Sequence, residues 1–174
     1  RVSSLPDLMA HEGYPGHHTE LSIKEKRLVD ALRYYEFTVI PLNAPSSVMA
    51  EGIATSALET VLTDEEREEW LRQEILPDAG MSHVDPKRIL AVNKAARKMS
   101  AISGNAAFML HDQRKSEEQI IQYLQRYGLA SEKEARQTHR FISNPDDRSY
   151  TFTYDVGYDL LTELFHGGDR DHYF

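Results

Sequence analysis

The sequence predicts an all-α fold. Three segments begin with a Ser or Thr cap that is followed three residues later by Glu or Gln, at Thr63, Ser116 and Ser131. Apolar residues recur at helical spacing, most clearly between Ile89 and Ile102. The alternating apolar and polar runs and the Asn-Gly turns that would indicate strands are lacking in the sequence. Helices are therefore expected from one end of the chain to the other.

The predicted helices follow one another with short connections. The first begins at a cap near Ser4, breaks near Pro15 and resumes to Leu32. Later helical segments are predicted at 33–40, 48–62 after a Ser46 or Ser47 cap, 64–76, 86–102 with the pattern running on to 111, 117–127, 132–142 and 151–165. A connector at 41–47 and turns at 77–80 and 144–147 separate them.

Length and charge narrow the classes of protein to consider. The 174 residues predict a single domain, 1–174. The net charge of −8 is spread along the chain, which disfavours a nucleic-acid partner because such binding needs a basic patch. No window is long and apolar enough for a membrane span, so we expect a soluble protein without a membrane partner. The oligomeric state stays open.

Three histidines and a glutamate fall within eight residues near the start of the chain. The stretch reads His11-Glu12-Gly13-Tyr14-Pro15-Gly16-His17-His18. Many zinc hydrolases build their site from a His-Glu pair and a later His, in which the histidines bind metal and the Glu accepts a proton from the attacking water. Because the chain has no Cys, His and carboxylate are its only strong metal ligands. We therefore predict a metal site here.

The spacing leaves two candidates for the second His. The usual pattern has it four residues after the first, and that position is Pro15. On a regular helix His17 would lie about 240° from His11, whereas His18 would share its face but lie roughly 10 Å along the axis. Either a bulge at Pro15 and Gly16 brings His17 into line, or a straighter helix uses His18. The bulge is favoured, because Pro and Gly are the residues that most readily permit one.

Glu51 is the candidate for the third ligand. Its neighbours, Val48 to Ala50 and Ile53 to Ala54, are mostly apolar, and a buried carboxylate needs a charged partner. Glu59 follows two helical turns later on a similar face. Small residues around Glu51 would let a second helix approach closely; they are Ala50, Gly52, Ala54 and Ala57.

Both stretches, in this order, resemble a known family. His11 to His18, followed by Glu51-Gly52-Ile53-Ala54 and Glu59, resemble the signature of the bacterial domain of unknown function 885, which looks like a distant relative of helical zinc peptidases such as thermostable carboxypeptidase Taq and thimet oligopeptidase. The resemblance implies a helical zincin-like catalytic portion that holds Zn²⁺ on His11, His17 and Glu51, with Glu12 as general base. A Gly-His pair supplies the second ligand in carboxypeptidase Taq, which implies His17 rather than His18.

The same resemblance implies further site residues. A Tyr three residues before a Gly matches Tyr154 and Gly157, and in related peptidases such a hydroxyl donates to the oxyanion. Tyr150, one turn earlier, is the alternate. A Leu-His pair matches His111 as a substrate contact, although Ala107 stands where the family has Asp.

Three more side chains are predicted to support the site. Arg148 is expected to bind a substrate carboxylate in a bidentate manner. His18 and Glu59 are expected to orient the ligands or contact substrate, because ligating histidines usually need an acceptor.

The sequence thus predicts a zinc metallopeptidase whose metal-activated water attacks a peptide or small amide, with Glu12 and Tyr154 as catalytic residues. The alternatives are a non-catalytic helical module stabilised by metal and a hydrolase of another amide or ester. Another divalent metal would also suit these ligands. Because members of the resembling family are longer, we expect the C-terminal part of a larger bacterial protein, cytoplasmic or exported.

Overall fold

The computed structural model describes residues 4–166, so the predicted domain 1–174 extends beyond it at both ends. These residues contain no strand, which confirms the all-α prediction. The described α-helices are α1 (Leu5–Glu12), α2 (His17–Lys24), α3 (Pro45–Val61), α4 (Asp64–Trp70), α5 (Leu76–Asp78), α6 (Pro86–Arg97), α7 (Ala101–His111), α8 (Glu117–Tyr127), α9 (Glu132–Ser143) and α10 (Thr153–His166). Short π-helices lie at Glu25–Ala31 and Leu71–Ile75, and short 3-10 helices at Tyr35–Thr38 and Tyr150–Phe152.

The predicted capping boxes form at all three sites. The side chains of Thr63, Ser116 and Ser131 each accept a hydrogen bond from the backbone N–H three residues later, and the Glu or Gln there accepts one from the backbone N–H of the cap. The predicted cap of α3 was wrong. Ala44 occupies the cap position, and the Ser47 hydroxyl donates back to the Leu42 carbonyl oxygen at 2.6 Å.

Two predicted helices differ from the observed ones. Segment 33–40 forms only the 3-10 turn Tyr35–Thr38, because Arg33 adopts a φ of 63° in the left-handed region, where a regular helix cannot continue. The predicted helix from 86 to 111 is two helices, α6 and α7, with a turn at 98–100 between them.

Helix α3 lies at the centre of the part of the fold that carries the site. Helix α10 packs along one side of it and α1 along another. Gly52 and Gly157 let α3 and α10 approach at the backbone: a Cβ on Gly52 would lie 2.5 Å from the carbonyl oxygen of Gly157. On the α1 side, buried Ala10 packs with Ala57 and Leu58. The predicted small residues of this helix thus serve both contacts.

Two further apolar clusters support the rest of the chain. The larger one joins α7, α8 and α9 and includes the fully buried Ile120 and Ile142. The second forms around Leu71, Leu76, Ile89 and Leu90. Between residues 4 and 166, no helix has the length and apolarity needed to cross a membrane.

Candidate metal centre

The His-Glu stretch is a helix break rather than a bulge within one helix. Helix α1 ends at Glu12 and α2 begins at His17, so the four residues between them turn the chain. The backbone N–H of Gly16 donates to the carbonyl oxygen of Ala10 at 2.9 Å, and a Cβ on Gly16 would overlap the carbonyl oxygens of Ala10 and His11. Only glycine permits this approach. The turn therefore brings the start of α2 back beside the end of α1.

His11, His17 and Glu51 converge on one point, as predicted. Nε2 of His11 lies 3.4 Å from Oε2 of Glu51, and Nε2 of His17 lies 3.4 Å from Oε1. The ligand atoms of these three residues all lie within 4.8 Å of one another. The two imidazole rings meet edge to face, with centroids 4.8 Å apart. A group of this kind could hold a metal ion.

The Glu51 carboxylate is deeply buried and incompletely paired. The residue is 4% exposed, and among the described residues its Oε2 meets only Nε2 of His11, at a long 3.4 Å. Burial favours the neutral acid, but hydrogen bonds from His11 and Tyr150 outweigh burial and lower the pKa of Glu51. The hydrogen bond to Glu51 raises the pKa of His11. Burial acts in the opposite direction and offsets this rise only in part. A buried carboxylate with so distant a partner at one oxygen is costly unless a cation completes it.

Two tyrosines cover the group, Tyr150 from the 3-10 helix Tyr150–Phe152 and Tyr154 from the start of α10. The Tyr150 hydroxyl donates a hydrogen bond to Oε1 of Glu51. The Tyr154 ring lies nearly parallel to that of His11, with centroids 6.4 Å apart, and meets the Tyr150 ring edge to face at 5.6 Å. Burial and the negative charge of Glu51 raise the pKa of both phenols, so both stay protonated donors at neutral pH.

Glu12 lies at the exposed edge of the centre. Its negative charge helps to raise the pKa of His11, Tyr150 and Tyr154. The predicted general base thus directly follows His11 at the end of α1 and is open to solvent.

Two predicted supporting residues lie apart from the group. His18 is exposed and packs its ring against Tyr14, with centroids 4.9 Å apart. Glu59 belongs to a polar cluster further along α3: it accepts a hydrogen bond from the Tyr158 hydroxyl at 2.9 Å and lies 3.5 Å from Arg97. The Arg97 guanidinium in turn stacks on the Tyr158 ring at 4.3 Å.

The structure does not bring His111 or Arg148 into the group. Nε2 of His111 lies 2.6 Å from the carbonyl oxygen of Ile142, so its ring joins the end of α7 to α9. Arg148 is exposed in the turn after α9, where its backbone N–H donates to the Asn144 carbonyl oxygen. His111 was predicted from the family resemblance and Arg148 from its residue type, and neither determines the direction a side chain faces.

A large open cavity lies beside Tyr154 along α3, and no sequence pattern predicted it. Its volume is about 890 Å³, and Tyr154, Thr55 and Glu59 lie in its wall together with Arg67 and Arg97. Arg67 is 6% exposed and pairs with Asp7 of α1 at 3.2 Å. Arg67 and Arg97 lie in charged helical segments whose patterns do not distinguish a buried arginine from a solvated one.

Comparison of the chain with family models, with curated proteins and with solved structures finds no match. The resemblance to the domain of unknown function 885 therefore stays a prediction. What the fold shows is an all-α chain in which a His, His and Glu group could bind a metal ion.

Proposed function

We propose that this chain is a zinc-dependent hydrolase of peptides. The observation that carries the proposal is the convergence of His11 and His17 on the buried carboxylate of Glu51, with each imidazole Nε2 3.4 Å from one of its oxygens. Two imidazoles and one carboxylate form the ligand set of catalytic zinc sites, which leave a position open for water. A structural site usually closes with a fourth protein ligand, and no fourth His or acid joins this group among residues 4–166.

The residues fit a zinc ion. His11, His17 and Glu51 would hold it, with Oε2 as the carboxylate oxygen left for the metal because Oε1 accepts the Tyr150 hydrogen bond. When bound, zinc supplies a nucleophilic water at neutral pH and polarises a carbonyl oxygen.

The chain's own residues have separate tasks in this proposal. Glu12, beside the ligands and open to solvent, accepts the proton of the attacking water at its carboxylate and delivers it to the departing amine. Tyr154 is protonated at neutral pH because its pKa is raised, and its hydroxyl donates a hydrogen bond to the oxyanion. Tyr150 holds Glu51 in place.

The adjoining cavity supports a peptide as the substrate. Its volume of about 890 Å³ lies within the usual range for ligand pockets, about 300–1,000 Å³. Tyr154 forms part of its wall, so a chain lying in the cavity passes the proposed oxyanion donor. The lining carries both acids and bases, including Asp7, Glu59, Arg67 and Arg97, which suits a polar backbone better than an apolar ligand.

The test is hydrolysis of a mixed peptide library by the zinc-loaded chain and by the Glu12→Gln variant. We expect Glu12→Gln to bind zinc as the parent does and to lose about 10²–10⁴-fold in turnover, the usual contribution of a general base. Glu65→Gln, an exposed acid in the first turn of α4, is the matched control and should hydrolyse at the parent rate.

Removing the metal with a chelator distinguishes a zinc hydrolase from a metal-stabilised module without activity. A hydrolase loses turnover on chelation and regains it when zinc is restored. If the chain binds zinc but cleaves none of the library, or if Glu12→Gln cleaves at the parent rate, the proposed mechanism is wrong.

A further inference from the structure

A second cavity lies at the start of α3, against α2. Its volume is about 320 Å³, and its walls come from α2, from the 3-10 segment and the extended residues that follow it, and from the first turns of α3. Helices α2 and α3 are also the helices that carry His17 and Glu51. A volume near the lower end of the usual range for ligand pockets fits a single side chain rather than a length of peptide.

The walls of this cavity are largely apolar. Val29, Phe37, Val39 and Ile40 line it. Phe37, Val39 and Ile40 are 45%, 71% and 61% exposed, although they are among the least polar side chains in the sequence. Adjacent exposed apolar side chains around a concave surface are typical of a binding site.

One buried carboxylate lies in this apolar wall. The Glu20 side chain is 7% exposed, and its Oε1 forms an ion pair with Lys24 one turn later. Its Oε2 is buried without a hydrogen-bond partner in the described part of the chain. A buried carboxylate oxygen without a donor is unfavourable, so a ligand that brings a donor to Oε2 gains from this site.

The net charge of the cavity lining indicates which kind of hydrogen-bond donor a ligand should bring. Its charged lining residues are Glu20, Glu25 and Lys24, which together carry a net charge of −1. A single monovalent cation would neutralise them. Because Lys24 already pairs with Oε1 and Oε2 is the oxygen without a donor, a ligand with one compact cationic donor, an ammonium, completes the carboxylate without competing with Lys24 for Oε1.

We propose that this cavity binds the side chain of a lysine in a bound peptide. The four methylene groups lie against Phe37, Val39 and Ile40, and the ammonium donates a hydrogen bond to Oε2 of Glu20. That the lysine belongs to a substrate rests on the proposed peptide hydrolysis, whereas the preference of the cavity for an alkylammonium group does not.

The first experiment measures binding of n-butylammonium chloride and of n-butanol to the metal-free chain by NMR titration. We expect saturable binding of the amine, at least about tenfold tighter than that of the alcohol, which is the scale of one hydrogen bond to a charged group. Glu20→Gln should reduce amine binding to the level of the alcohol. Glu36→Gln removes the same charge from an exposed position in the neighbouring 3-10 helix and should bind the amine as the parent does.

The second experiment compares two peptides that differ only by lysine or norleucine at one position, each bound to the zinc-loaded Glu12→Gln variant. We expect the lysine peptide to bind about tenfold more tightly, and the difference to disappear when Glu20→Gln is added.

Each result decides one part of the inference. Equal binding of amine and alcohol by the parent chain overturns the alkylammonium site, and this comparison needs no variant to fold. Amine binding without a lysine preference overturns the peptide lysine and leaves a site for a free alkylamine. Amine binding that depends on Glu20, in a chain that hydrolyses no peptide, supports the cavity and contradicts only the proposed function.

Discussion

Replacing Tyr150 with Phe tests whether this hydroxyl holds Glu51, the proposed metal ligand. The change removes the donor to Oε1 and keeps the ring, which packs edge to face against Tyr154. Because Glu51 is 4% exposed, water has little access to replace the lost donor. A hydrogen bond to a charged group contributes about 1.5–3 kcal/mol, and loss of a group that orients a ligand typically weakens metal binding about 10–100-fold. At about 1.4 kcal/mol per factor of ten, the two magnitudes agree.

We therefore expect Tyr150→Phe to weaken zinc binding about 10–100-fold, measured by competition with a chromophoric chelator. Tyr154→Phe is the matched control, since it deletes the same atom from the neighbouring ring. It should bind zinc like the parent and lose turnover instead. Unchanged zinc affinity in Tyr150→Phe, or an equal loss in both variants, would refute the assignment of these two hydroxyls.

Other predictions address the second ligand, the helix contact and the buried acid. His17→Ala should weaken zinc binding by more than about 100-fold in the same competition, whereas His18→Ala should stay near the parent value. Gly157→Ala should lower the free energy of unfolding by about 1–3 kcal/mol in urea, because its Cβ would lie 2.7 Å from the backbone nitrogen of Gly52. Since the folded pKa of Glu51 is below its ordinary value of 4.5, the stability that its ionised form contributes is present above pH 4.5 and is lost as the pH falls through the folded pKa. The metal-free parent should therefore lose more stability between pH 6 and pH 3 than Glu51→Gln does, measured by urea unfolding at each pH.

Helix beginnings were predictable where the signal was local. Thr63, Ser116 and Ser131 each satisfy a backbone donor within their own first turn, so neighbouring residues alone define the start. The 33–40 segment was not predictable in this way. Its apolar residues suit a helix, but the left-handed conformation of Arg33 is a property of a non-glycine residue that sequence does not signal.

The meeting of His11, His17 and Glu51 was predictable from chemistry, and the surroundings of this group were only partly so. The Pro-Gly pair indicated that His17 would turn toward His11, and Glu51 was singled out as an acid among apolar residues. The separate roles of Tyr150 and Tyr154 could not be predicted, because they depend on the change from the 3-10 helix Tyr150–Phe152 to α10. That change decides which phenol meets Glu51 and which lies over His11.

The backbone contact between Gly52 and Gly157 limits how the centre can open. With no side chain between the two helices, neither can slide or rotate past the other without a collision of main-chain atoms. Glu51 and the tyrosines above it must then move as one rigid unit. In the proposed hydrolase, admission of a substrate would fall to the elements outside that unit, which are the turn between α1 and α2 and the residues that lead from α2 into α3.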